Sequence, residues 1–220
     1  MTDQLQAEPE LILPKDAKEI SRDLMLGLLP NSIKRAGMGK QEILRTMTHL
    51  HLAEKKIYTL NALAGKCAFS KEDQTKPIFQ AFSPNLQVIY LQQNYLTHMG
   101  DCFSGLKHLT QINLFGNYIT KMDCFTECTK LRKLYLENNR INRLEGLQNC
   151  QCLEELYLGH QQYRSAPEFT FDEYSLAAIS NSLVLLDLPE VKLVNCKPLY
   201  FLENLITLNL SDNLIEDFDD

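Results

Sequence analysis

The sequence predicts an α/β fold, a solenoid in the form of a curved horseshoe whose parallel sheet lines the concave side. Three observations predict it. One frame of apolar residues and asparagine returns about every 22 residues, the centre of each copy alternates apolar and other residues as a strand does, and a helix-spaced segment precedes the first copy. Because one short unit cannot bury its apolar side alone, stacked copies must share a core.

The frame is clearest in the stretch LRKLYLENNRI at residues 131–141, where leucines at 131, 134 and 136 precede Asn139 and Ile141. About seven 22-residue repeats are predicted, and they begin at Met47, Leu86, Leu109, Leu131, Leu153, Leu183 and Leu205. The asparagine amide can donate and accept hydrogen bonds, so it is predicted to satisfy the main chain after each strand. Gln161 can partly replace it, whereas Val191 cannot.

This frame resembles the leucine-rich repeat, and its 22-residue step is similar to the Sds22-like subclass, named after a phosphatase-regulating yeast protein. The resemblance covers roughly residues 44–218. The stretch MTHLHLAEKKI (47–57) and the interrupted repeat at 153–188 are similar to segments of a phosphatase 1 regulatory subunit of this family. The resemblance implies a protein-interaction scaffold that regulates or targets protein phosphatase 1 at the microtubule, centrosome or cilium.

The chain is predicted to divide into a tail with a helical cap at 1–43 and a repeat domain at 44–220. Apolar residues at helical spacing, Ile20, Leu24 and Leu28, predict a helix over 15–29, and a second short helix is expected at 40–45. Insertions are expected at about 64–84 and 162–182. The first is predicted to bulge as a loop, and the second to contain a helix over 172–181 that begins at Asp172.

Two further segments are candidates for a role in binding or in covering the sheet. KPIF at 76–79 is similar to a motif that docks on phosphatase 1, but its apolar residues are adjacent instead of one residue apart, so it is not counted as a docking motif. No capping helix is predicted after the last repeat, although a terminal repeat needs a polar cover. The acidic end IEDFDD, a partner, or further chain are the three covers we expect.

Composition indicates a folded chain without a membrane segment. The 220 residues are 45% hydrophobic and 23% charged, and no apolar run has the length that crosses a bilayer. The N-terminus is acidic and does not resemble a secretory signal, so a cytoplasmic, cytoskeletal location is expected. A net charge of −6 argues against nucleic acid and favours a basic protein partner.

Chemistry-bearing residues do not form an enzyme motif, so no catalytic residue, cofactor or metal site is predicted. The seven cysteines lack the spacing of a zinc site, and Cys128 and Cys150 occupy the position that Leu106 and Leu202 fill in other repeats. Core packing is the expectation for the cysteines. His49 and His51 alternate on the first strand and are expected to be solvent-side residues of an edge strand.

The concave face is the predicted binding surface, because residues that alternate with the core leucines point away from the core. Four aromatic residues, Tyr90, Phe115, Tyr135 and Tyr157, are predicted to form one outward-facing band, and tyrosine is enriched at binding hot spots. Strand propensity alone is the competing explanation. The predicted partner-binding residues are Tyr90, Gln92, Phe115, Lys133, Tyr135, Glu137, Glu155, Tyr157, His160 and Asp187.

Two functional classes follow. As the resemblance implies, the concave face would hold the catalytic subunit of protein phosphatase 1, although the position before the asparagine carries small or polar residues (Gln93, Gly116, Asn138, His160) where the family's best-known phosphatase binder has acidic and bulky aromatic ones. The alternative is a structural adaptor of the axoneme or microtubule that binds tubulin or dynein without a phosphatase role. Acidic tubulin would prefer the basic residues of the fourth repeat, Lys130, Arg132, Lys133, Arg140 and Arg143.

Overall fold

A seven-stranded parallel sheet dominates the structure, a computed structural model that describes residues 11–29, 39–60, 76–162 and 168–215. The elements of the N-terminal part are β1 (Lys18–Glu19), α1 (Arg22–Gly27), α2 (Lys40–Thr46), β2 (His49–His51) and β3 (Ile57–Thr59). The remaining elements are α3 (Ile78–Phe82), β4 (Val88–Tyr90), β5 (Gln111–Asn113), β6 (Lys133–Tyr135), β7 (Arg143–Leu144), β8 (Glu155–Tyr157), β9 (Thr170–Phe171), α4 (Glu173–Ile179), β10 (Leu185–Asp187), a 3-10 helix (Lys197–Phe201) and β11 (Thr207–Asn209).

The sheet has the strand order β11-β10-β8-β6-β5-β4-β2, and every neighbouring pair is parallel. The central leucine position of the frame is in register from strand to strand: Leu50, Ile89, Ile112, Leu134, Leu156, Leu186 and Leu208. A slip of one residue would turn each strand's apolar side chains to the other face. The predicted α/β solenoid with its parallel sheet is therefore confirmed.

The core fills the space behind the sheet. The apolar positions that follow each turn are buried, both in the row Met99, Met122, Leu144 and Cys196 and in the row Leu106, Cys128, Cys150 and Leu202. A stack of rings that the sequence analysis missed runs through the same layer. Phe103 lies between Phe79 and Phe125, with ring centroids 5.9 and 6.1 Å away.

A ladder of buried amides holds the turns, as the frame predicts. The Nδ2 of Asn139 donates to the carbonyls of Leu114 and Leu136, each at 3.0 Å, and its Oδ1 accepts from the Ile119 amide at 3.0 Å. Gln161 makes the equivalent bonds to Leu136, Leu158 and Ile141 at 2.8–2.9 Å. Glutamine therefore replaces asparagine more completely than the sequence analysis expects.

The position before the asparagine has a left-handed backbone in every repeat of the frame. Its φ lies between 52° and 66° at Glu54, Gln93, Gly116, Asn138, His160, Glu190 and Asp212. Bulky and β-branched residues are disfavoured at such φ values. The small and polar residues found there are compatible with this backbone conformation. Their identity therefore reflects the turn and does not indicate how well the face binds a partner.

The N-terminal helix is shorter than predicted. Instead of spanning 15–29, it begins after Ser21, whose side-chain oxygen accepts from the Leu24 amide at 3.2 Å. The preceding Lys18–Glu19 pairs with Ile57–Thr59, and this pairing keeps the earlier residues extended. The second helix ends one residue beyond the predicted 40–45. Met25 and Leu44 are buried in the same apolar cluster as Leu50, so the two helices cover the first strand as a cap.

The first insertion differs from the predicted bulging loop. Residues 61–75 lie outside the described residues, but the end of the predicted segment is the helix α3, with Ile78 and Phe79 fully buried. Its apolar residues pack into the core because they join the phenylalanine stack. Ile78 and Phe79 of KPIF are therefore part of the core and are not presented to a partner.

The second insertion contains the predicted helix. Residues 163–167 lie outside the described residues; after them β9 pairs with β7, and α4 follows. Asp172 is the N-cap, and its Oδ2 accepts from the Ser175 amide at 2.9 Å. The Ser175 hydroxyl in turn accepts from the Leu147 amide at 3.2 Å, which fixes the helix to the fourth repeat.

Cysteine burial follows the prediction at five of the six described positions. Cys102, Cys124, Cys128, Cys150 and Cys196 are buried, and burial raises the pKa of the Cys150 thiol to about 12. Cys152 is exposed, contrary to the expectation of core packing, because it lies in the turn that leads into Leu153. Cys67 lies outside the described residues.

The two edge strands of the sheet differ in how far their apolar side chains are buried. Leu50 on β2 is fully buried, whereas Leu208 on β11 is 44% exposed and the neighbouring Ile206 is 82% exposed. Residues 216–220, the predicted acidic cover, lie outside the described residues. In the described part of the chain, the last strand therefore carries exposed apolar side chains.

Candidate protein-interaction face

The concave face is formed by three rows of side chains that alternate with the buried core positions. The first row is His49, Val88, Gln111, Lys133, Glu155, Leu185 and Thr207, and the second is His51, Tyr90, Asn113, Tyr135, Tyr157, Asp187 and Asn209. Two positions beyond the second row lie Ala53, Gln92, Phe115, Glu137, Gly159, Pro189 and Ser211. Parallel pairing thus brings side chains that are 22 or more residues apart into direct contact.

Aromatic rings form two stacked pairs instead of one continuous band. The rings of Tyr135 and Tyr157 lie 4.7 Å apart with an angle of 7° between their planes. His51 stacks on Tyr90 at 4.6 Å, and Asn113 separates this pair from the other two tyrosines. Phe115 belongs to the next row because it lies two positions after Asn113. The four aromatic residues of the predicted band therefore occupy two rows of the same face.

His51 is a candidate that the sequence analysis placed on the face but did not count as a partner-binding residue. It is exposed on the edge strand, as is His49, so the prediction of solvent-side histidines is confirmed. The sequence could have indicated this contact, because His51 and Tyr90 occupy the same position of successive repeats. Parallel pairing in register places their rings side by side. Within the described residues, histidine, cysteine and carboxylate side chains do not form a group of three or more that could hold a metal ion.

A polar network adjoins the tyrosine pair. The Nζ of Lys133 donates to Glu155 Oε1 at 2.8 Å, and the hydroxyl of Tyr157 lies 3.3 Å from Glu155 Oε2. Burial and the nearby Glu155 carboxylate raise the pKa of Tyr157 to about 12. Tyr157 therefore stays protonated at neutral pH and can donate a hydrogen bond.

Two acceptors of the face lack a donor among the described residues. The Gln92 Oε1 and Glu137 Oε2 atoms are buried, and neither has a hydrogen-bond partner. Burial raises the pKa of the Glu137 carboxyl, and the charge of Asp187 raises it further. Asp187 accepts a 2.7 Å hydrogen bond from Asn209 Nδ2.

His160 differs from the other predicted binding residues because its backbone is left-handed. Its φ of 56° places it in the left-handed turn after β8. Its Nδ1 lies 3.2 Å from the Oε2 atom of Glu190. Glu190 occupies the same position in the next repeat. His160 and Glu190 therefore line the rim of the face.

The basic residues of the fourth repeat are largely engaged within the protein. Arg132 contacts Glu154, Lys133 contacts Glu155, and Arg143 lies 3.4 Å from Glu145 and 3.6 Å from Asp172. Arg140 lies over the ring of Tyr118, 4.9 Å from its centroid. The positive patch that would suit tubulin is thus mostly neutralised.

The described helices include no segment with the length and apolar character needed to cross a bilayer. This finding concerns residues 11–29, 39–60, 76–162 and 168–215.

The fold and its concave sheet define a solenoid of the kind that serves as a protein-interaction scaffold. Family models agree with this class: one described as leucine rich repeat matches residues 78–119, and one described as leucine rich repeats in two copies matches residues 129–169. These stretches carry leucine-rich repeats, and the chain has the α/β fold of a leucine-rich-repeat solenoid. Proteins of this fold are typically non-enzymatic. Among curated proteins, no sequence matches the chain.

Solved structures with similarity to the chain include two leucine-rich-repeat proteins. Internalin C2 of Listeria monocytogenes is 26% identical over 62% of this chain, with a TM-score of 0.47, and this chain spans 66% of that protein. TLR13, solved in complex with ssRNA13, is 23% identical over 79% of this chain, with a TM-score of 0.61, and this chain spans 23% of it. The second similarity supports the fold alone, and its RNA is a ligand of TLR13.

Proposed function

We propose that the concave face binds a protein partner, and that the chain is a regulatory or targeting subunit of protein phosphatase 1. The stacked Tyr135–Tyr157 pair is the observation that carries the binding part of this proposal. Two large, partly exposed rings at the centre of an open sheet supply rigid contact area with little entropy to lose on binding.

The identity of the partner rests on resemblance. Residues 47–57 and 153–188 resemble protein phosphatase 1 regulatory subunit 42, a leucine-rich-repeat protein associated with microtubules, centrosome or cilium. The second segment includes β8, α4 and β10, so the resemblance covers both a strand of the binding face and the inserted helix. A cytoplasmic, cytoskeletal location of the complex is part of the proposal.

Direct binding between purified proteins tests the proposal. The catalytic subunit of protein phosphatase 1 is titrated into the wild-type chain and into the triple variant Tyr90→Ala, Tyr135→Ala, Tyr157→Ala. We expect binding by the wild type and at least a roughly hundredfold loss in the triple variant, because alanine at hot-spot tyrosines removes buried ring area. Thermal melts of both proteins verify folding.

Two exposed tyrosines outside the concave face provide a matched control. Tyr174 on α4 and Tyr200 in the 3-10 helix are 77% and 61% exposed. The double variant Tyr174→Ala, Tyr200→Ala should bind the phosphatase as the wild type does. An equal loss in this control, or no binding by the wild type, contradicts the proposal.

The alternative, a structural adaptor that binds tubulin or axonemal proteins such as dynein, is tested by the same titration with purified tubulin. Tubulin binding that survives the triple variant, together with no phosphatase binding, would favour the adaptor. The engagement of Arg132, Lys133 and Arg143 by carboxylates weakens this alternative.

A further inference from the structure

The C-terminal half of the concave face is strongly acidic. From the fourth repeat onward, the rows and the turn position beside them carry the carboxylates of Glu137, Glu155, Asp187, Glu190 and Asp212. In the same described positions the only lysine or arginine is Lys133, and it is paired with Glu155. Charge complementarity therefore favours a basic partner surface here.

Two of these carboxylates have no lysine or arginine beside them in the part of the chain that the structure describes. Within the described residues, neither Glu137 nor Asp187 forms an ion pair with lysine or arginine. Glu137 lies two residues after Tyr135, and Asp187 pairs in register with Tyr157, so both carboxylates adjoin the stacked rings. Their strands are separated by β8, a spacing of about 10 Å that leaves room for one cationic group.

The rings complete a receptor for a cation. A guanidinium or ammonium group is attracted to the face of tyrosine, and this attraction grows as water is excluded. Glu137 Oε2, which has no hydrogen-bond donor among the residues that the structure describes, would gain one. Arginine and lysine side chains carry donors and positive charge together.

We propose that Glu137, Asp187 and the Tyr135–Tyr157 pair receive one arginine or lysine side chain from a basic segment of the protein partner. This inference rests on the proposed function of the concave face as a binding surface. It adds the chemistry of the contact. The cation lies against the tyrosine rings, Glu137 accepts a hydrogen bond from it, and Asp187 balances its charge.

The test uses two peptide probes and the full chain. One probe is a capped, otherwise neutral heptapeptide with a central arginine, and the other has citrulline, the uncharged isostere, at that position. Binding is measured by NMR titration with ring-labelled tyrosine. We expect the arginine peptide to bind about tenfold more tightly than the citrulline peptide and to shift the ring signals of Tyr135 and Tyr157.

A charge-matched pair of variants separates the site from the general acidity of the chain. Glu137→Gln with Asp187→Asn should reduce the preference for arginine to about twofold or less, because both acceptor charges are lost. Glu173→Gln with Glu203→Gln removes the same formal charge from exposed residues outside the face and should leave the preference unchanged. Equal binding of the two peptides by the wild type, or an equal loss in both variants, overturns the inference.

The results for this site and for the proposed function can be told apart. The comparison of arginine with citrulline in the unaltered chain needs no variant and no phosphatase. If it shows no preference while the triple tyrosine variant still loses the phosphatase, the cation site fails and the proposed function stands. If the preference is found and the phosphatase does not bind, the site stands and the phosphatase assignment fails.

Discussion

At the scale of single residues, the amide of Asn139 connects three separate segments of backbone. It bonds to the main chain of residues 114, 119 and 136, which belong to two successive repeats, and the side chain is fully buried. A buried backbone group that loses its partner costs about 1–3 kcal/mol. One amide thus contributes more than a typical surface contact to the stacking of two repeats.

Replacing Asn139 should therefore show how much the ladder of buried amides contributes to stability. We expect Asn139→Ala to lower the free energy of unfolding by about 2 kcal/mol, because it leaves the buried Ile119 amide without an acceptor, while the Leu114 and Leu136 carbonyls keep the side-chain amides of Asn117 and Gln161 as donors. Asn139→Gln should lose less than half as much, since Gln161 makes the same set of bonds one repeat later. Urea unfolding followed by circular dichroism measures both; equal losses would show that the hydrogen bonds do not matter.

Glu137 gives the face a predictable pH response. Burial first and the charge of Asp187 second raise its pKa in the folded protein, and a hydrogen bond from its own backbone amide and the charge of His160 partly oppose them. A raised carboxyl pKa means that the folded state holds the proton more tightly, so this group destabilises the fold as pH rises through its folded pKa. We expect Glu137→Gln to raise the melting temperature at pH 7.

The control for this prediction is the same measurement at pH 3.5. There the wild-type carboxyl is largely protonated, so the difference in melting temperature between Glu137→Gln and wild type should shrink. A difference that does not depend on pH would show that the charge of Glu137 is not the cause. In that outcome, altered packing of the side chain would explain the effect.

At the scale of elements, the close stacking of repeats depends on places where no side chain is tolerated. Gly105 and Gly146 both have φ near +76°, a conformation that favours glycine. Their surroundings differ. A methyl group on Gly146 would lie 1.6 Å from the carbonyl oxygen of Met122, in the backbone of the previous repeat, whereas one on Gly105 would meet the flexible side chain of Gln80 at 2.3 Å.

These two glycines form a matched pair of substitutions. Gly105→Ala should cost about 1–2 kcal/mol for the left-handed backbone alone, because Gln80 can move away. Gly146→Ala should cost more than about 3 kcal/mol, because two backbones must separate and the contacts between repeats are lost. Chemical denaturation compares them, and similar costs would show that the repeats can shift apart easily.

At the scale of the whole molecule, the two ends of the sheet are covered differently. The helices α1 and α2 bury the apolar side of β2, while Leu208 on β11 and the preceding Ile206 are exposed. Solenoid stability depends on interfaces between neighbours, so an edge without cover opens more easily. Among the described residues, we therefore expect β11 to be the least protected from hydrogen exchange.

Hydrogen exchange of two amides tests this difference directly. The Leu52 amide donates to Tyr90 and the Ile206 amide donates to Val184, each at 2.8 Å, so the hydrogen bonds are alike. Leu52 is buried, and Ile206 is 82% exposed. We expect the Ile206 amide to exchange at least about tenfold faster. Equal protection would mean that the last strand opens only with the whole domain.

The sequence by itself determined the repeat, the strand positions and the amide ladder, because each depends on local spacing along the chain. It also predicted α2 and the N-cap of α4, because both depend on residues that are close together in the sequence. Tertiary structure decided the rest. Pairing with Ile57–Thr59 shortened the first helix, and the phenylalanine stack drew Ile78 and Phe79 into the core. Sequence spacing cannot show such contacts, because their partners lie in other repeats.

The candidate site divides in the same way. Alternation along each strand predicted which side chains face outward, so Tyr90, Tyr135, Tyr157 and Asp187 lie where the frame places them. Only the lateral register decided that His51 stacks on Tyr90, that Asn113 interrupts the tyrosines, and that Glu137 Oε2 has no donor in the described part of the chain. Burial and charge balance arise between strands that are far apart in sequence, and they exist only once the sheet has formed.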